Sequence, residues 1–302
     1  MATSQQFLVS DNSTLANFKS WASAISAFFT TAGWTQSADT GQVNWSTIAT
    51  VPGSGAFVYE VWQPNDGLTT FYLKVEYGNY GNANSPTLRV SLGTGTNGAG
   101  TLTGFVTPAT PVQATALTGL SSTATYECNL SGVAGRMGVM MWRTGANNQQ
   151  QFFAVQRSLD ATGAPTGSYV TLWTHGDSTG RTLQQSVSFA LGVAPPLCSQ
   201  VNGTANSVTG CTQTAFVRGI SSGGSGTVFN SSIPMDLCAP LLGQWQDECT
   251  VCGTADPTAI VDGLTFGATV YGATKIYMPT RLGSFAYFGA QSNTGLLCME
   301  YD

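Results

Sequence analysis

The cysteines have the greatest chemical capacity in this chain, and they are unevenly spread. Six of the seven lie beyond Pro196. Cys249-Thr250-Val251-Cys252 has the CxxC spacing, with Gly253 behind it. Two thiolates so spaced supply half of a tetrahedral zinc site. No second CxxC pair is present, so the other ligands must come from separate places. Cys238, Cys249, Cys252 and Cys298 form the candidate metal set, with zinc as the candidate ion. Cys198 and Cys211 could also contribute, or could close a disulfide around the loop Ser199 to Gly210. Cytoplasmic synthesis argues against a disulfide at first, and an extracellular particle could oxidise later. Inert, buried thiols are the third reading. A thioredoxin-like role would need a βαβ setting that the sequence does not offer. Cys128 stands apart from the others and reads as a small apolar residue within a strand.

Other constellations are thinner. His175 is the single histidine, with Asp177 two residues on. Asp177 could orient it as an acid–base group, but His175-Gly176-Asp177-Ser178-Thr179-Gly180 reads more simply as a surface turn. Gly219-Ile220-Ser221-Ser222-Gly223 has the nucleophile-elbow spacing. An elbow needs a following helix, which Gly224-Ser225-Gly226-Thr227 cannot begin. Gly93-Thr94-Gly95-Thr96-Asn97-Gly98 has the glycine spacing of a dinucleotide loop. That loop places pyrophosphate on a helix N-terminus, and here Ala99-Gly100-Thr101-Leu102 continues as strand. A hairpin is the better reading. Asp247-Glu248, Asp256 and Asp262 provide carboxylates, but no pair is marked out as the two that glycoside cleavage requires. No catalytic or cofactor-binding residue is therefore assigned.

The elements that must position these groups are mostly strands. One amphipathic helix is predicted after Asn12-Ser13-Thr14, any of which could cap it. Its apolar positions Phe18, Trp21, Ala22, Ile25, Phe28 and Phe29 follow three-four spacing, and Gly33 suits a left-handed end. Trp34 and Trp45 are expected to cover a sheet. Strands are predicted at Ala56–Gln63, Thr69–Tyr77, Thr87–Gly93, Thr101–Val106, Arg136–Trp142, Gln151–Leu159, Tyr169–Trp173 and Leu183–Leu191. Ser158 to Gly167 reads as a hairpin loop. Composition shifts at Ala194-Pro195-Pro196, which sets a boundary between residues 1–194 and 195–302. Beyond it, strands are predicted at Ala215–Arg218, Leu264–Tyr271, Lys275–Met278, Ser284–Phe288 and Leu296–Tyr301, with a long irregular region from Cys198 to Pro257. The fold class is mainly β: antiparallel, sandwich-like sheets with one N-terminal amphipathic helix and a loop-rich β C-terminal part.

Composition narrows the function. Charged residues are 8% of the 302, against roughly 25% in ordinary soluble domains. Hydrophobic residues hold at 42%, so the chain has material for a core. A free monomer relies on surface charge for solubility, so such a chain suits an assembled state. The net charge is −5 and Lys and Arg are scattered singly, which argues against nucleic acid. No stretch approaches the ~20 apolar residues of a membrane helix. Met1 to Gln6 lacks the basic start of a secretory signal, and synthesis in the cytoplasm is the expectation.

Read together, several segments carry a resemblance. They are Phe18-Lys19-Ser20-Trp21-Ala22-Ser23-Ala24-Ile25, Ala32-Gly33-Trp34-Thr35-Gln36, Asp39-Thr40-Gly41-Gln42-Val43-Asn44-Trp45, Tyr59-Glu60-Val61-Trp62, Leu73-Lys74-Val75-Glu76-Tyr77-Gly78 and Leu92-Gly93-Thr94-Gly95 with Asn97-Gly98-Ala99-Gly100. The pattern resembles virion structural proteins of tailed bacteriophages. It continues through Phe153 to Asp160 and Pro165-Thr166-Gly167, and is looser at Tyr277-Met278-Pro279-Thr280 and Leu296 to Tyr301. The cysteine-rich C-terminal part departs from it. The resemblance implies a non-enzymatic virion component in the tail, baseplate or fibre-attachment region. Its partners would be copies of itself and other virion proteins. Rival expectations are a capsid decoration (cement) protein, a tail-tip module binding a host glycan or receptor, and a depolymerase. A patch of exposed Trp62, Trp142, Trp173 or Trp245 would favour the glycan-binding rival.

Overall fold

A computed structural model of the chain describes residues 3–79, 84, 86–104, 125–143, 150–159, 164–177 and 185–190. Further on it describes 198–199, 208–209, 235–236, 238–241, 244–247, 252–255, 265–270, 273–279 and 296–301. Among these residues the fold is mainly β, with antiparallel sheets and one long helix near the N-terminus.

Strand β1 (Thr3–Val9) leads into helix α1 (Leu15–Thr31). Of the three candidate caps, Thr14 does the capping. Its backbone is extended, and its hydroxyl accepts from the Asn17 N–H at 3.1 Å. That satisfies one of the amides a helix start leaves free. Gly33 closes the helix at φ 82°, and its N–H donates to the Thr30 carbonyl at 3.1 Å. All six predicted apolar positions of the helix are buried.

Strands β2 (Trp34–Gln36), β3 (Phe57–Pro64), β4 (Tyr72–Asn79) and β5 (Pro86–Gly93) form one sheet in that order. The period-two alternation sets its register. Leu73 pairs with Leu92, Val75 with Val90 and Tyr77 with Leu88, and all six are buried. A two-strand ladder follows, β6 (Gly95–Thr96) with β7 (Leu102–Thr103), so the glycine run is a hairpin. The second sheet has the order β1-β8-β9-β10-β11-β12. It uses β8 (Tyr126–Val133), β9 (Arg136–Arg143), β10 (Gln150–Leu159), β11 (Pro165–Asp177) and β12 (Gln185–Ala190).

The helix and both sheets contribute to one buried cluster. Aromatic rings carry much of the helix–sheet seam. Phe29 stacks on Trp62 with centroids 5.0 Å apart, and Trp34 meets Phe71 edge-on at 5.6 Å. Such pairs add about 0.5–1.5 kcal/mol each beyond the burial of their area. Trp34 is buried and Trp45 packs partly buried against the cluster, so both cover the sheet as expected. An ion pair ties the sheets together. Arg157 on β10 holds Asp66 in the β3–β4 connection through Nε–Oδ2 at 2.5 Å and Nη2–Oδ1 at 3.0 Å. Its guanidinium lies 4.8 Å from the Phe71 ring centroid.

Some elements differ from the sequence expectation. Thr3–Val9 is a strand where none was predicted, and Tyr126–Val133 is a full strand where only Cys128 suggested one. Strand β11 runs on through His175 to Asp177, so the turn expected to start at His175 does not start there. Strands β10 and β11 also take in Ser158, Leu159 and Pro165–Gly167, which were expected in a loop. The expected boundary at 194/195, the strands at Ala215–Arg218 and Ser284–Phe288, and the motif at Gly219–Gly223 lie outside the described residues.

In the C-terminal part, a five-stranded sheet has the order β15-β18-β21-β20-β19. Its strands are β15 (Met235–Asp236), β18 (Cys252–Ala255), β19 (Phe266–Val270), β20 (Ala273–Pro279) and β21 (Leu296–Glu300). Two short ladders accompany it: β13 (Cys198–Ser199) with β14 (Val208–Thr209), and β16 (Cys238–Leu241) with β17 (Gln244–Asp247).

Candidate functional site: a carboxylate beneath an open cleft

Glu60 sits on the β3 row that also carries Val58 and Trp62. Strand alternation therefore turns a carboxylate toward α1 on an otherwise apolar face. Only 2% of Glu60 is exposed. An isolated buried carboxylate is unstable unless hydrogen-bonded, and three neutral donors meet this one. Ser26 Oγ of α1 donates to Oε1 at 2.7 Å, and Trp45 Nε1 donates to the same oxygen at 2.8 Å. Tyr77 OH of β4 donates to Oε2 at 2.9 Å. No cation pairs with it among the described residues. Burial raises the Glu60 carboxyl above its ordinary range, against the opposing effect of those hydrogen bonds. Burial likewise pushes the Tyr77 phenol well up, with the neighbouring Glu60 charge adding to it, so Tyr77 serves as a donor. The Trp62 indole N–H also bears on this carboxyl, yet it has no hydrogen-bond partner of its own.

A cleft of about 730 Å³ opens above this carboxylate. One wall is the α1 surface at Ser23, Ala27 and Thr30; the other is the segment from Gln36 to Ser46. That second wall runs along the edge of β3. Ser37 N–H donates to the Val61 carbonyl at 2.8 Å, and Val43 N–H donates to the Tyr59 carbonyl at 2.9 Å. Gln42 Oε1 accepts from the Val61 N–H at 2.7 Å.

The glycine hairpin holds this wall from behind. Asp39 Oδ1 accepts from Thr96 Oγ1 at 2.8 Å and from the Gly100 N–H at 3.0 Å, while Oδ2 accepts from Ser37 Oγ at 2.5 Å. Burial opposes ionisation of Asp39, but these donors outweigh it and hold the carboxyl below its ordinary value. Tyr59 OH donates to the Thr40 carbonyl at 2.7 Å and lies 3.2 Å from the Ala99 carbonyl. Gly100 has φ 76°, and a Cβ there would come within 2.2 Å of the Tyr59 ring. The Asp39 motif and the glycine run are thus two halves of one latch.

The sequence-predicted groups fall elsewhere. Cys252 pairs in register with Met299, and Cys298 with Gly253 and Pro279. Cys238 pairs with Asp247 and Cys198 with Thr209. Cys249 and Cys211 lie outside the described residues, as do Glu248, Asp256 and Asp262. Among the described residues no group of three or more His, Cys, Asp or Glu could hold a metal ion. Cys128 is a free thiol, fully buried, and burial pushes its pKa well up. His175 pairs with Phe152 and Asp177 with Gln150 along the β10–β11 ladder. Trp62 is 3% exposed and stacked on Phe29, so it presents no face for a ligand to stack on. Trp142, Trp173 and Trp245 are placed only by their strands.

The sequence alone does not mark Glu60 out. The available signal was one charged residue in the row Val58, Glu60, Trp62. Among the described residues no helix is long and apolar enough to cross a membrane. Compared with known proteins, the chain matches no protein-family model and no curated protein.

Proposed function

We propose that the chain is a non-enzymatic structural component of a tailed-phage particle. It works through repeated contacts with copies of itself and with other particle proteins, in the tail, baseplate or fibre-attachment region. One observation carries the assembly part of this reading: the edge at β1. The strand Thr3-Ser4-Gln5-Gln6-Phe7-Leu8-Val9 has no charge and no proline. Among the described residues it is the terminal strand of its sheet, and Leu8 is 64% exposed. Free monomers guard such edges with charges, prolines or bulges, because an open edge pairs with other chains. In a chain with 8% charged residues, an unguarded edge fits a surface that neighbours cover. The phage context rests on the sequence resemblance.

Two measurements test the reading. Mass spectrometry of purified phage particles should detect the chain at a copy number set by the particle's symmetry; its absence from the particles would sink the proposal. In solution, light scattering should find the isolated protein in oligomers that Leu8→Lys weakens. A wild-type chain that stays monomeric at high concentration would remove the edge as the supporting observation.

A further inference from the structure

We propose that the cleft over Glu60 is a binding site for one uncharged, hydroxyl-rich ligand unit, such as a sugar residue. The inference goes beyond the assembly role and does not depend on where the protein resides.

The chemistry of the lining selects the ligand class. Among the described residues no Lys, Arg or His lines the cleft, so phosphate, sulfate and carboxylate ligands would find no counter-charge there. The one carboxylate already accepts three hydrogen bonds from neutral donors. A carboxylate offers about four acceptor sites, which leaves room for roughly one more donor. The buried Trp62 N–H lies beside the Glu60 carboxyl and the Tyr77 hydroxyl but makes no well-formed hydrogen bond to either. A group that donates to Glu60 while accepting from Trp62 satisfies both, and a hydroxyl does both with one oxygen. A cation offers only donors and would leave the indole N–H unmet.

The rest of the cleft suits the same ligand. Ser23, Thr30, Gln36 and Asn44 line it with hydroxyl and amide groups, and half-buried Trp45 supplies an apolar patch. A few placed polar groups beside an aromatic surface are the usual composition of a small-ligand site, and about 730 Å³ lies within the usual range of such pockets. The site is also held in shape. Asp39, Tyr59 and the Gly98–Gly100 turn fix the outer wall, while the aromatic seam fixes α1. A preformed cleft costs little further ordering when a ligand enters.

The test uses the whole chain and saturation-transfer difference NMR. The probe is a millimolar mixture of D-glucose, D-galactose, D-mannose, L-rhamnose and N-acetyl-D-glucosamine, with putrescine in a separate sample. Ring-proton signals are expected from at least one sugar. Ala27→Trp and Thr30→Trp, at exposed positions of α1 over the cleft, fill the site without touching the core. Each should lower the sugar signal about tenfold or more while leaving the thermal transition in place. Three outcomes overturn the proposal: no sugar signal from the wild type, a sugar signal unchanged in both variants, or binding of putrescine alone. A chain that binds sugar yet is missing from phage particles would refute the assembly reading and leave this one standing.

Discussion

Two of the described places that bury charge do so in opposite ways. At the joint between the sheets, Arg157 and Asp66 meet as a two-pronged pair with the cation over Phe71. Arg157 is 1% exposed, and the chain encloses it. Beneath the cleft, Glu60 is nearly as buried but meets no cation, only a hydroxyl, a phenol and an indole. The first arrangement neutralises charge and closes the structure. The second leaves a carboxylate whose ionisation the fold disfavours, at the floor of an open cavity. Burying a charge is costly in both cases. The joint offsets that cost with an opposite charge, whereas the cleft offsets only part of it with neutral donors; each leaves one buried N–H unpartnered, Arg157 Nη1 at the joint and Trp62 Nε1 under the cleft. The contrast teaches that burial alone does not mark a group as structural; what separates the two places is whether an opposite charge meets the buried one.

The contrast can be broken experimentally, and the largest effect is expected at the joint. Arg157→Met leaves Asp66 without its cation and should cost about 3–5 kcal/mol in urea unfolding. Adding Asp66→Leu should recover most of that loss. A cost below ~1 kcal/mol for the single variant, as for an exposed pair, would mean that the ion pair does not join the sheets. Next comes the latch behind the cleft wall. Gly100→Ala places a Cβ against the Tyr59 ring on a backbone with φ 76°, so a loss of about 2 kcal/mol or more is expected from strain and overpacking. An unchanged melting temperature would show that the hairpin does not hold the wall in place.

Glu60→Gln should have a smaller effect, and one that depends on pH. The folded-state pKa of Glu60 is raised, so the native state holds this proton more tightly than the unfolded chain does. The associated stability is fully present below the ordinary glutamate value and is lost as pH rises through the folded-state pKa. Glutamine does not titrate. The stability of Glu60→Gln relative to wild type should therefore rise with pH, from a deficit of about 1 kcal/mol near pH 4. A difference that stays flat between pH 4 and pH 8 would contradict the raised value. Smallest of all, Ala27→Trp should change stability by less than about 0.5 kcal/mol, as surface substitutions usually do. A large loss there would show that the cleft wall is part of the packing.

How much of this was legible in the sequence depends on the range of the interaction. The helix could be read because its code is local: Phe18, Trp21, Ala22, Ile25, Phe28 and Phe29 mark one face without help from the rest of the chain. Strands with strong alternation were legible for the same reason, as at Leu73, Val75 and Tyr77. Strands β1 and β8 were harder to read. The former opens with Thr3-Ser4-Gln5-Gln6, and the latter carries Cys128 and Gly132 in its inward row, which dilutes the apolar signal. The carboxylate site was not legible because its donors come from three elements. Ser26 is on the helix, Trp45 on the cleft wall and Tyr77 on β4, and only the tertiary fold brings them to one group. Motif reasoning looked for pairs of acids and for spaced cysteines, whereas here a single acid is surrounded by neutral donors.

The register of the first strand has a consequence for how the chain comes together. Thr3 lies opposite Gly132 and Val9 opposite Tyr126, so β1 cannot find its partner until the chain has been made beyond residue 132. The helix and the sheet from β2 to β5 lie entirely within the loop that this pairing closes, and their contacts are much shorter in sequence. Closing a long loop is slow unless its interior has already become compact. The helix and first sheet are therefore expected to form before β1 pairs with β8, an order that pulse-labelling hydrogen exchange would read.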